Sequence, residues 1–335
     1  MLERASPSLL EACVATDAGS AQEPKSCRTA SPVPAGPGHG ETEERALSFH
    51  GFRYTCRITP QSAPRTLPVL ILGGSEQDRH SWLRQERRLA PVATVITVDL
   101  PGYGDSDFLP VSFGIDFLSG TVRHLLEELR IPRVNLVGAC FGGAVGLRFA
   151  QHCPDMLERL ALIGMCLNIP PDYATSMRRW AELIERGETS PIAQELTERF
   201  MSPPGASRVR RHAAVSRLVY AGIAGQSPER KRKSAEHNAR LMRHEWYRPG
   251  STPDVPALVV TGEFDTLTTP AMGREVARRL PGARFLTVKE TDHLAPVERP
   301  DDFADLLVRF CTDLPLDGLP YAHPAERFGV PMVHP

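Results

Sequence analysis

Uninterrupted apolar runs, each leading into a stretch of helical periodicity, constrain this chain more than any other feature of its sequence. Pro68 to Leu72 (PVLIL) ends in Gly73-Gly74. ATVITVDL at 93–100 precedes a helical face of Ile115, Leu118, Val122, Leu125 and Leu129. VNLVGA at 134–139 runs straight into a Gly- and Ala-rich helix from Phe141, and RLALIGM follows at 159–165. A strand with one face in water alternates polar and apolar residues, whereas a strand covered on both faces need not. Continuous strands separated by helices therefore predict an α/β fold built on a mostly parallel, doubly wound sheet. Two β segments meeting near His50-Gly51 (ALSFHGFRYTCRIT, 46–59) precede this series. ALVVTG (257–262), a helix to Leu280, ARFLTV (283–288) and a helix over 301–311 continue it.

Between 169 and 250 the strands stop, and Trp180, Leu183, Ile184, Phe200, Leu218 and Tyr220 mark helices instead. The organisation read from these shifts is a disordered leader (1–42), a first part of the core (43–168), a helical cap (169–250), a second part of the core (251–314) and a tail (315–335). The leader reading rests on the Ala, Ser, Pro and Gly content of 1–42, which cannot bury enough apolar surface to order itself. A formal net charge of −1 gives no reason to expect nucleic acid or an anionic membrane as a partner and leaves a small-molecule substrate as the default. The apolar patch Leu9–Val14 is too short for a signal or spanning segment, so the chain reads as cytoplasmic. Seven cysteines without a CxxC pair read as reduced thiols.

Gly138-Ala139-Cys140-Phe141-Gly142-Gly143 has the form Gly-x-nucleophile-x-Gly and lies between an apolar strand and a small-residue helix. A nucleophile there would sit on a sharp turn, with glycines letting strand and helix approach. A cysteine buried in a tight βα turn is the plainer alternative. Two further signals follow the last strands, at the carboxyl ends where α/β sheets place their sites. Gly262-Glu263-Phe264-Asp265 offers an acid, and Thr291-Asp292-His293 offers a base. Asp265 could instead cap a helix and His293 could be a surface residue. The chain order nucleophile, acid, histidine favours a triad of Cys140, Asp265 and His293, with Glu263 and Asp292 as competing carboxylates.

These motifs, with Leu72-Gly73-Gly74-Ser75 and Asp99-Leu100-Pro101-Gly102-Tyr103-Gly104-Asp105-Ser106, resemble the α/β-hydrolase superfamily over about residues 45–314. Two departures stand out: Gly73-Gly74 where many members carry His-Gly, and Cys140 where most carry serine. The resemblance implies an oxyanion hole formed by the N–H groups of Phe141 and Ser75 beside Gly74. It also implies that the cap shapes the acyl pocket, with Trp180, Phe200, Met201 and Tyr220 as candidates for substrate contact and cap core as the alternative role.

A thiol at a helix N-terminus beside histidine can form a thiolate–imidazolium pair before substrate arrives, and its product would be a thioester. Hydrolysis and acyl transfer of an ester, lactone or acyl thioester are both expected outcomes. The alternatives are a lyase or carbon–carbon bond hydrolase without a covalent intermediate, and a binding protein that has lost its nucleophile. The basic excess from Arg208 to Arg248, including Arg230-Lys231-Arg232-Lys233, suggests either a docking surface for coenzyme A or an acyl carrier protein, or a solvated helix face. No phosphate loop or metal-ligand cluster is evident, so no cofactor is expected.

Overall fold

The computed structural model describes residues 40–188, 190–203, 208–250 and 253–329. Almost all of the leader and the end of the tail lie outside these ranges. Strands β1 (Glu43–Phe49), β2 (Phe52–Thr59), β3 (Val69–Leu72), β4 (Val95–Asp99), β5 (Val134–Ala139), β6 (Leu157–Ile163), β7 (Ala257–Gly262), β8 (Arg284–Val288) and β9 (Glu326–Arg327) form one sheet. Its order is β1-β2-β4-β3-β5-β6-β7-β8-β9. All pairings from β4 across to β8 are parallel, and β1, β2 and β9 add antiparallel edges.

Helices α1 (Leu83–Leu89), α2 (Ile115–Glu128), α3 (Phe141–His152), α8 (Pro270–Arg278) and α10 (Pro300–Cys311) connect the strands, with the single turn α9 (Ala295–Glu298) before α10. They cover both faces of the sheet. One core layer joins Val122, Leu125, Val145 and Val276 to the sheet, and the other joins Leu89, Phe303, Leu307 and Phe310 to it. Every residue of β3, β4, β5 and β7 is buried, which accounts for the unbroken apolar runs. No helix among the described residues is long and apolar enough to cross a membrane.

Helices α4 (Pro171–Glu185), α5 (Ser190–Phe200), α6 (His212–Ala224) and α7 (Pro228–Arg243) lie between β6 and β7 and carry their own apolar cluster. In α6 the inward stripe is Val215, Val219 and Ile223, spaced one turn apart. Tyr220 is turned about 100° from Val219 and faces water.

The basic run of α7 faces inward more than its composition suggests. Lys233 is 4% exposed and donates to the carbonyls of Gly104 and Ser106. Arg240 is fully buried and holds the carbonyls of Leu109, Pro110 and Phe113. Arg230 pairs with Asp78 at 2.6 Å. These charges fasten the cap to the core. The tail, which shows no periodicity in sequence, returns to the sheet as β9 and as a bridge from Ala322 to Val288.

Candidate active site

The direction of chain progress reverses at β3, which has β4 on one side and β5 on the other. A crevice opens at the carboxyl ends of strands at such a point. The loop after β3 carries Ser75, and the turn after β5 carries Cys140.

Cys140 adopts φ 50°, ψ −115°, a conformation that costs a non-glycine residue of order 1–3 kcal/mol. The surrounding packing compensates. A Cβ on Gly142 would lie 2.3 Å from the Leu72 carbonyl oxygen, and one on Gly138 would lie 2.7 Å from that of Gly142. Only glycines allow β3, β5 and α3 to come this close, so the strained turn is built into the sequence. Cys140 N–H is held by the Ile163 carbonyl at 2.8 Å. The N–H groups of Phe141 and Ser75 have no acceptor among the described residues.

His293 and Asp265 come from the loops after β8 and β7. The His293 Nδ1 to Asp265 Oδ2 distance is 2.9 Å, and both side chains are buried. Asp265 accepts further hydrogen bonds from the N–H groups of Leu267 and Thr268, at 2.9 and 2.8 Å, and from the Thr268 hydroxyl at 2.7 Å. Four contacts leave this carboxylate one orientation. Burial disfavours charge on His293, but the hydrogen-bonded Asp265 carboxylate and the neighbouring Cys140 outweigh it and hold the imidazole pKa well above its ordinary value. His293 and Asp265 are joined by a hydrogen bond, and Cys140 and His293 line the same pocket.

The competing carboxylates are placed elsewhere. Glu263 pairs with His323 at 3.0 Å, and Asp292 accepts from the backbone and hydroxyl of Ser202 and from the His293 N–H. Neither reaches the imidazole ring.

Two apolar pockets flank Cys140. One, of about 60 Å³, is lined by Gly74, Ser75, Phe200, Ile223, His293 and Val297. The other, of about 50 Å³, is lined by Ser75, Phe141, Tyr173, Asn238, Trp246 and Thr268. Of the cap residues singled out from sequence, Phe200 stacks on His293 with ring centroids 5.4 Å apart. Trp180 is buried within the cap and donates to Glu195 at 2.7 Å, and Met201 is also cap core. Tyr220 is 42% exposed and lines neither pocket, so it drops out of the substrate-contacting set. The sequence did not reveal Thr268, Tyr173 or Asn238, because none lies in a motif. It also gave no sign of His237, which stacks on Phe141 at 4.4 Å and backs the first turn of α3.

A glycine-braced turn, an oriented imidazole and two N–H groups without an acceptor among the described residues meet at the sheet crevice of this α/β scaffold. The family model described as alpha/beta hydrolase fold matches residues 68–300, and the chain belongs to that family. An uncharacterized protein of Mycobacterium tuberculosis is 34% identical over 117 residues, which are 35% of this chain and 33% of the relative. The chain thus spans about a third of the length of the first curated relatives it matches. A 2-hydroxy-6-oxononadienedioate/2-hydroxy-6-oxononatrienedioate hydrolase of Cupriavidus pinatubonensis is 26% identical over 77% of this chain and 90% of its own. The solved enol-lactonase of Burkholderia xenovorans is 25% identical with a TM-score of 0.67, covering 80% of this chain and 100% of that one.

Proposed function

We propose that this chain is a hydrolase or acyltransferase that acts on an ester, lactone or acyl thioester through a covalent acyl-cysteine. The observation that carries the reading is the strained turn at Cys140, which shares a pocket with His293, whose Nδ1 is held by Asp265 at 2.9 Å.

In the first step the thiol proton of Cys140 passes to His293, and the sulfur attacks the carbonyl carbon. The N–H groups of Phe141 and Ser75 receive the oxyanion. As the tetrahedral adduct collapses, His293 returns a proton to the leaving group and a thioester remains on Cys140. His293 then takes a proton from water, an alcohol, an amine or a thiol, which attacks the thioester and restores the Cys140 thiol. Asp265 keeps Nδ1–H of His293 directed at itself, so that Nε2 faces Cys140. Phe200 covers the ring and excludes water from that side.

A second reading, carbon–carbon bond hydrolysis with His293 as the acid–base group and no covalent bond to sulfur, draws on the named activity of the Cupriavidus relative. Intact-protein mass after brief incubation with acyl thioesters and activated esters separates the two. A mass gain located on Cys140 and absent in Cys140→Ala supports acyl chemistry. Turnover that survives Cys140→Ala with no adduct overturns it.

A further inference from the structure

The cap places two polar side chains against the pocket on the Phe141 side of Cys140, and neither has a hydrogen-bonding partner among the described residues. Tyr173, in the first turn of α4, packs edge-on against Trp180 at 5.4 Å beneath the Arg199 guanidinium at 5.2 Å. Its ring is therefore fixed, yet its hydroxyl has no hydrogen-bond partner among the described residues. Burial holds its pKa well above the ordinary value, so the hydroxyl keeps its proton, and it lies near enough to Cys140 and Glu76 to feel their charge. Asn238, on α7, is 9% exposed, and its amide has no hydrogen-bond partner among the described residues.

Several other polar groups of the cap are paired, whereas Glu236 and His237, outside this pocket's lining, also carry buried atoms without a partner. Glu195 is held by Trp180 and Ser176, Gln226 by Glu76, and Ser234 by Glu76. Unpartnered polar groups on the wall of a pocket that also contains Cys140 mark a place where another molecule supplies the partner.

The two pockets can be told apart chemically. A leaving group must take its proton from His293, and His293 lines the first pocket but not the second. The acyl chain therefore occupies the second. Its lining contains no Lys, Arg, Asp or Glu, so nothing there would compensate a charged substituent, and Met165, Ile169, Leu241 and Trp246 supply apolar walls.

We propose that Tyr173 and Asn238 form a recognition pair for an acyl group bearing a neutral oxygen substituent, keto or hydroxyl, on a short and otherwise apolar chain. Tyr173 donates to that oxygen, and Asn238 donates to a keto group or accepts from a hydroxyl. The proposal rests on the acyl-cysteine reading for its assignment of the two pockets. A site built to hydrogen-bond a substituent discriminates strongly against the analogue that lacks it, because its own groups then stay unpaired.

The test compares butanoyl, 3-hydroxybutanoyl and 3-oxobutanoyl thioesters of one thiol on the full chain. The wild type is expected to favour an oxygenated substrate by about 100-fold or more in kcat/KM, with a loss of about tenfold in that ratio in Tyr173→Phe and a similar loss in Asn238→Leu. Tyr173→Phe keeps the ring packed on Trp180 and carries the test alone should Asn238→Leu fail to fold. An equal preference for all three acyl groups, or a preference untouched by both variants, overturns the proposal.

Calorimetric titration of Cys140→Ala with 3-hydroxybutanamide and butanamide tests the pair without chemistry. Binding of the first only, lost in Cys140→Ala/Tyr173→Phe, upholds the pair even where no thioester acylates the wild type and the acyl-cysteine reading fails. Equal binding of both amides, or binding of neither, overturns it.

Discussion

Glu298 offers a test of the loop that carries His293. It closes α9 at 3% exposure, accepts the Asp292 N–H at 2.6 Å through Oε2, and has a buried Oε1 without a partner. Burial, reinforced by the charges of Asp292 and Asp265, pushes its pKa from an ordinary 4.5 up to about 8. The folded protein therefore keeps a proton on Glu298 that the unfolded chain releases above about pH 4.5. The resulting stabilisation is fully present below that pH and is lost as pH rises through about 8. At about 1.4 kcal/mol for each pH unit, the full change is about 5 kcal/mol. Glu298→Gln keeps a neutral side chain of the same length and removes this dependence. The difference in unfolding free energy, variant minus wild type, should rise by about 4 kcal/mol between pH 5 and pH 9, measured by urea unfolding followed through tryptophan fluorescence. His293 and the other titrating groups are common to both proteins, and to first order they cancel from the difference. A difference that stays flat across that range would refute the reasoning, since it would mean that Glu298 carries the same charge folded and unfolded.

Three other outcomes follow from the geometry. Asp265→Asn keeps the contact set nearly isosteric but removes the carboxylate that fixes the imidazole tautomer, so kcat for acyl transfer should fall by roughly 10⁴ while circular dichroism stays unchanged. Gly142→Ala drives a Cβ to 2.3 Å from the Leu72 carbonyl oxygen, a main-chain atom that cannot rotate away. The cost should exceed about 4 kcal/mol, seen as insoluble protein or a thermal midpoint lowered by roughly 10 °C. Phe200→Ala should destabilise by about 3 kcal/mol and lower kcat by uncovering His293, whereas Tyr220→Ser, on the exposed side of α6, should stay within about 0.5 kcal/mol of the wild type.

The parallel strands were legible in the sequence because burial on both faces removes alternation, and β5 and β7 begin and end where their apolar runs do. The face of α6 was not. Tyr220 attracts attention as an aromatic residue, yet the inward stripe consists of smaller residues at Val215, Val219 and Ile223. Strand β9 is two residues long, and its pairing is set by the register of β8, so no local pattern announces it. In the site, Cys140, Asp265 and His293 stood out because each follows a strand within a recognisable motif. Thr268, Tyr173 and Asn238 act through position alone, and a threonine, tyrosine or asparagine on a helix or turn carries no mark of what it faces.

The same limit applies to charge, with a consequence for the oxyanion loop. In sequence, Arg230, Lys233 and Arg240 look like a solvated basic face. Their partners are a carboxylate and loop carbonyls more than a hundred residues earlier, so only the folded chain shows that they point inward. The segment from Gly74 to Ser81 is thereby held from two directions. From the core, the Arg79 side chain and backbone N–H both bind Asp99, the first residue of the Asp-Leu-Pro-Gly motif. From the cap, Arg230 binds Asp78, while Gln226 and Ser234 bind Glu76, the neighbour of Ser75. Core and cap thus jointly set where the Ser75 N–H points. A lifting of α7 would break the Arg230–Asp78 and Ser234–Glu76 contacts and so pull on the loop that carries Ser75.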